Sequence, residues 1–472
     1  MSTGASLQWG GRFSGRPDPE LLAFGSSLED DLILAPFDLA CSRAHVAALR
    51  GGSIVSPAIA DALDAALESV TSELADGSFF AFARSSGAED VHGAIDARVR
   101  ALAAESGEWL HAGRSRNDQV ATTLALYVRD RARNGRKLAV AIGRDALARS
   151  RSALEDRTLL AATTHWQPAQ PVLLAFWLGA VAEQFVRAAA RFARVENDSA
   201  AHSPLGSGAC SGSSLPLDRA AAARALGFGT TTRNALDAVG DRDLVLDLVH
   251  ACVRALVATS RVAGELVVWC SPTFGYARLD DAAATGSSLM PQKRNPDPFE
   301  LARAAAAAGV GDLAGALATL TGLPLSYHRD LQTTKAISLR ATENSLGTLG
   351  AFARAFGLVR WNAARLNAGA DGAYTVATDV ADALIARGIT ARRAHALVGG
   401  AVAAADASER PLDANDLRSL SNACGLDELQ APLRARESVE GKRTLGSTNP
   451  DALRASIEEA ARELDALAGQ PA

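Results

Sequence analysis

Two tracts without proline, residues 119–167 and 325–410, constrain this chain more than any other feature, because alanine, leucine and arginine recur through them and strand signals are scarce. Proline breaks helices and alanine favours them most, so both tracts read as helical. Five segments have the period and length of long helices: 118 to about 154, 172 to about 195, 241–269, 297–320 and 330–359. In the third, Leu244, Leu248, Cys252 and Leu256 step by four beside Val245, Val249 and Val253, which predicts one broad buried face. Helices of nearly thirty residues reach roughly 45 Å and need partners along their length. The expected fold is therefore mostly α, with a central long-helix bundle, and alanine-rich faces allow close approach between subunits of a homo-oligomer.

At 472 residues the chain exceeds one ordinary core. Residues 1–112 are loopier, and the helical pattern shortens after about 364, with breaks at Gly388, Pro411 and Pro450, so we expect segments 1–112, 113–363 and 364–472. The net charge of −5, from 53 acidic and 48 basic residues, gives no global basic surface for nucleic acid or membrane. Its N-terminal stretch lacks a signal-like apolar run, which leads to a cytoplasmic expectation. Five dispersed cysteines, without C-x-x-C spacing, fit neither a zinc site nor a disulfide framework.

The richest polar stretch is TGSSLMPQKRNPDPFE, residues 285–300. Gly286 frees the backbone, while Ser287 and Ser288 put hydroxyls on a segment with few bulky anchors, as in a lid. Pro291, Pro296 and Pro298 stiffen the other end, which displays Lys293 and Asn295 beside the start of the 297–320 helix. GRSRNDQ, residues 113–119, opens the first long helix, with Asp118 or Asn117 as its cap and Arg114 and Arg116 beside free N–H groups, a cradle for carboxylates. TTHWQPAQP places Thr164 and His165 among hydroxyls and amides at what reads as a helix junction. LSYHRDLQTTK offers Tyr327, Gln332 and Lys335 to a polar ligand. Spacing alone does not bring these loops together.

Together these residues resemble the fumarase/aspartase superfamily, whose signature loop GSSxMPxKxNP is matched by residues 286–296. Within it the chain is most similar to the argininosuccinate lyase family, through WGGRF (9–13), GRSRNDQV (113–120), DAVGDRD (237–243), LPLSYHRDLQ (323–332) and TDVADALIARG (378–388). The resemblance implies a three-domain, mostly helical subunit with a central five-helix bundle, a homotetramer with active sites shared between subunits, and a reaction without metal or other cofactor. The implied chemistry is reversible elimination from argininosuccinate to fumarate and arginine. It further implies Ser287 as base, Lys293 and Asn295 as binders of the developing charge, and His165, paired with Glu300, as acid. Ser115, Asn117 and Thr164, with Arg116 nearby, would hold the succinyl carboxylates, and Ser27, Tyr327, Gln332 and Lys335 the amino-acid end. His92 matches a family position near the site and equally suits a structural role. The sequence departs from the family pattern at Pro168, Ala304, Ala305, Thr333 and Thr334, which keeps open a sibling lyase acting on another N-substituted aspartate.

Overall fold

The computed structural model describes residues 18–469, so the WGGRF motif lies outside the described residues. The chain is mostly helical, and its five long helices are Arg116–Glu155, Leu174–Asp198, Asp243–Trp269, Asp297–Leu320 and Leu331–Gly357. The first three starts differ from expectation by two residues each, for local reasons. The first begins earlier because the Ser115 hydroxyl accepts the Asn117 N–H at 3.2 Å, making Ser115 the cap in place of Asn117 or Asp118. The third begins later because the Asp241 carboxylate accepts the Asp243 N–H at 2.7 Å, and Asn234 caps a separate short helix, Ala235–Gly240. The second begins later because a strand, Gln167–Leu173, pairs antiparallel with Leu159–Thr164 and holds Val172 and Leu173 extended opposite Leu160 and Leu159.

By contact the chain divides into two compact units. One comprises the described residues up to Gly135 together with Arg191–Arg254 and Ala305–Gly347. Leu34, Leu49, Leu63, Leu67 and Ile95 are fully buried in it, and Val249 and Val253 pack on Ala341. Each such large side chain contributes roughly 1.5–3 kcal/mol on burial. The Tyr127 hydroxyl and Arg131 both donate to Glu343, at 2.9 and 2.6 Å. At Gly135 a Cβ would lie 2.5 Å from the Phe192 ring, so glycine is what permits this close approach between helices.

The other unit comprises Arg136–Ala190, Ala255–Ala304 and the described residues from Thr348 onward. Phe185, Phe299 and Phe356 surround Phe352, and Trp177, Trp269 and Trp361 form a second aromatic cluster. The Trp177 indole N–H donates to Glu265 at 2.5 Å, which satisfies a polar atom among rings. Burial pushes the Glu265 carboxyl above its ordinary range, against the pull of Trp177 and Arg261. Val380, Leu384, Val398, Leu417 and Leu420 close a small C-terminal core.

Candidate active site

Six of the expected residues, Ser27, Arg116, Asn117, Tyr327, Gln332 and Lys335, line one cavity of about 590 Å³ in the first unit. Two of these residues, Ser27 and Lys335, form a polar triad with the fully buried Asp31. Lys335 Nζ donates to Asp31 at 2.7 Å, and the Ser27 hydroxyl donates to the same carboxylate at 2.6 Å. The side chains of Lys335 and Asp31 are 6% and 0% exposed, so each ion offsets the other's desolvation. Gln332 Nε2 and Arg329 both donate to the Gly25 carbonyl, at 3.0 and 2.5 Å, and Arg329 also pairs with Glu89 at 3.2 Å. Helix Leu331–Gly357 thus carries Gln332 and Lys335 one turn apart and aims both at the 25–31 segment.

The opposite lining comes from the start of helix Arg116–Glu155. Arg116 Nε faces Asp90 Oδ2 at 3.1 Å, and Asp90 caps helix Val91–Ala103 by accepting the Gly93 N–H at 2.6 Å. Burial raises the Asp90 carboxyl, but Arg116, His92 and the Gly93 N–H together hold it below its ordinary value. Asn117 Nδ2 donates to the Ala209 carbonyl at 2.9 Å. Ser115 stands just behind the lining, its N–H donated to Asp118 at 2.9 Å. The other Asp118 oxygen accepts from Gly206 and Gly208, both at 2.9 Å, so one buried carboxylate joins the turn to the glycine loop. Arg242, 4% exposed, also lines the cavity; burial lowers its guanidinium to about 10, with Tyr327 and Asp241 opposing.

The remaining expected residues belong to the second unit. Thr164 ends the first hairpin strand, and His165 and Trp166 form its turn with φ of 53° and 61°. The expected helix junction is therefore a hairpin tip, where the imidazole is exposed. In the 285–300 segment, Thr285 and Asn295 bridge backbone to backbone, and Asn295 Nδ2 donates to the Gly286 carbonyl at 3.2 Å. The Thr285 hydroxyl donates to Asp297 at 2.5 Å, which ties the loop's base to helix Asp297–Leu320. Ser287 Oγ accepts the N–H groups of Leu289 and Met290, at 3.3 and 3.1 Å. Donors aimed at that oxygen favour its anionic form. Lys293 and Glu300 are exposed, and Arg294 is occupied by Asp281 and the Leu279 carbonyl.

His92 is fully buried, with Nδ1 at 2.9 Å from Asp38 Oδ1, and does not line the cavity. Sequence reading missed Asp31, Glu89, Asp90 and Arg242. The Ser27–Asp31 spacing of four and the capping position of Asp90 before Val91 were the available signals. Of the departures from the family pattern, Thr334 is buried with its hydroxyl 2.6 Å from that of Thr319, and neither Thr333 nor Thr334 lines the cavity.

Known proteins resemble this chain in sequence and in fold. The Lyase family pattern matches residues 11–311, and the pattern described as Argininosuccinate lyase C-terminal matches residues 374–440. The argininosuccinate lyase of Anaeromyxobacter dehalogenans (strain 2CP-C) is 42% identical over 447 residues, covering 94% of each chain. That of Mycolicibacterium paratuberculosis is 38% identical over 465 residues, covering 98% of this chain and 97% of the relative. Among solved structures, EDDS lyase in complex with formate superposes with a TM-score of 0.77 at 24% identity, covering 96% of this chain and 91% of that one. A crystal structure of fumarate lyase:delta crystallin from Brucella melitensis gives 0.70 at 17%, covering 93% and 94%. These likenesses show the fumarase-like fold, and the sequence matches show that the chain is a carbon–nitrogen lyase belonging to the argininosuccinate lyase family.

Proposed function

We propose that this enzyme cleaves argininosuccinate reversibly to fumarate and arginine, as a step in arginine synthesis, without a cofactor. The observation that carries the reading is the cavity with Ser27, Tyr327, Gln332 and Lys335 on one side and Arg116 and Asn117 on the other. Glu89 and Asp90 stand there with Arg116, Arg242, Arg329 and Lys335, a mixture of signs that suits a zwitterionic amino-acid end better than a simple dicarboxylate.

Removing a proton next to a carboxylate puts two negative charges on one aci-carboxylate group, which needs donors already in place. Ser287 acts as base. An ammonium at about 4 Å offers roughly 4 kcal/mol at an effective dielectric of about 20, about three pKa units, which is insufficient alone for an alkoxide. The Leu289 and Met290 amides add to it at Ser287 Oγ. Lys293 and Asn295 take the charge on the carboxylate, and His165, with Glu300, protonates the departing guanidinium nitrogen. Ser115, Asn117 and Thr164 hold the succinyl carboxylates, with Arg116 beside them.

Assembly as a homotetramer with sites shared between subunits completes this reading. It is supported by helix Asp297–Leu320, on which Val310 and Leu317, seven residues apart and so on one side, are 52% and 50% exposed, an apolar strip suited to another copy of the chain. The test is product analysis: purified protein with argininosuccinate, fumarate followed by ultraviolet absorbance and arginine by chromatography. Folded tetramer that releases neither product overturns the proposal, and higher kcat/KM for another N-substituted aspartate assigns it to a sibling activity.

A further inference from the structure

Gln119 is 1% exposed and lies one helical turn from Arg116. Its Nε2 donates to Asp38 Oδ1 at 2.7 Å, and its Oε1 accepts from Arg116 Nη1 at 2.6 Å. The amide has one permitted orientation here. A carboxylate only accepts and a guanidinium only donates, so a reversed Gln119 would face Asp38 with oxygen and Arg116 with N–H groups, losing both bonds.

Asp38 is fixed in turn. Its Oδ1 meets His92 Nδ1 at 2.9 Å and the Thr123 hydroxyl at 3.5 Å, and Asp38, His92 and Thr123 are all 0% exposed. At the other end Arg116 Nε meets Asp90 Oδ2, so the guanidinium is held on two edges, by an amide and by a carboxylate that itself lines the cavity.

We propose that Gln119 is a positioning residue that relays the polarity of the buried Asp38–His92 pair to Arg116 and so sets the direction in which the guanidinium is presented to the cavity. This rests on the reading above that Arg116 serves a substrate carboxylate. The relay makes a prediction that simple space-filling does not. Gln119→Glu sets two carboxylates face to face. Adding Asp38→Asn in the same chain turns the shared atom into an amide nitrogen, which donates one hydrogen to the introduced carboxylate and the other to His92 Nδ1, accepting in its neutral tautomer, while the second carboxylate oxygen still accepts from Arg116.

The experiment measures KM and kcat for argininosuccinate, with thermal melting as a control of folding, in Arg116→Met, Gln119→Met, Gln119→Glu and the Asp38→Asn/Gln119→Glu double variant of the full chain. Gln119→Met should raise KM about tenfold with kcat changed less than about twofold, as expected when only positioned binding is lost. Gln119→Glu should raise KM further, and the double variant should bring it back to within about threefold of wild type, a coupling that independent sites do not show. Wild-type KM in Gln119→Met alongside a raised KM in Arg116→Met overturns the relay and leaves the reading of Arg116 intact. Unchanged KM in Arg116→Met removes the reading itself. Should Gln119→Met fail to fold, the folded double variant decides alone: recovered KM supports the relay, and KM still raised overturns it.

Discussion

The cavity and the 285–300 segment are built from the same hydroxyls, amides and charges, but the fold treats them in opposite ways. In the cavity, Lys335 reaches Asp31 across 304 residues of sequence and is 5% exposed. In the loop, Ser287 bonds residues two and three positions away, and Lys293 is exposed. Groups proposed to recognise substrate are thus part of what holds the first unit together, whereas groups proposed to do the chemistry are held by short local bonds that cost little to rearrange. Damage to the first should appear in stability and KM together, and damage to the second in kcat alone.

Substitutions test this contrast in descending order of effect. Ser287→Ala should lower kcat by about 10⁴-fold, the upper range for a general base, with melting unchanged by calorimetry. Full activity in this variant would place the base elsewhere. Lys335→Met strands the Asp31 carboxylate in a buried site and should destabilise the protein by about 3–5 kcal/mol in urea titration, besides raising KM. If melting and KM move independently there, recognition and stability are not one structure. Lys293→Met, in the exposed loop, should change stability by less than about 0.5 kcal/mol yet depress kcat. His165→Asn should lower kcat by about 10²-fold, less with substrates whose departing nitrogen needs no proton.

The smallest effect concerns pH and is confined to the first unit. His45 is 1% exposed; burial and Arg114 push its imidazole well below the ordinary value, against the hydrogen bond to the Ala112 carbonyl. The unfolded chain therefore takes up this proton first, so the contribution is complete above pH of about 6.5 and declines as pH falls, by up to about 1.4 kcal/mol per unit. Stability measured from pH 7 to 5 should slope less steeply in His45→Gln than in wild type. Equal slopes would remove His45 as a source.

The long helices were legible because a repeating apolar face is a local pattern; helix Asp297–Leu320 begins and ends where the sequence placed it. Tyr327, Gln332 and Lys335 were visible as one polar stretch and Ser27 only through family resemblance, and their gathering in one cavity depends on contacts between residues roughly 300 positions apart, which leave no local trace. Arg242 went unnoticed for the same reason: in DAVGDRD it resembles an ordinary charged helix start, and only tertiary burial makes it unusual. The hairpin was obscured because Pro168 and Pro171 mark a break without saying whether helix or strand follows.

That hairpin has a cost for evolution and engineering alike. Asn-Gly is the comfortable pair for two consecutive turn residues of positive φ, whereas this chain keeps histidine and tryptophan there, at an expense on the order of 1 kcal/mol or more. A consensus-style repair of the turn would make a sturdier protein while deleting its proposed proton donor, so screens that select for heat resistance alone should drift toward inactive enzymes at these two positions.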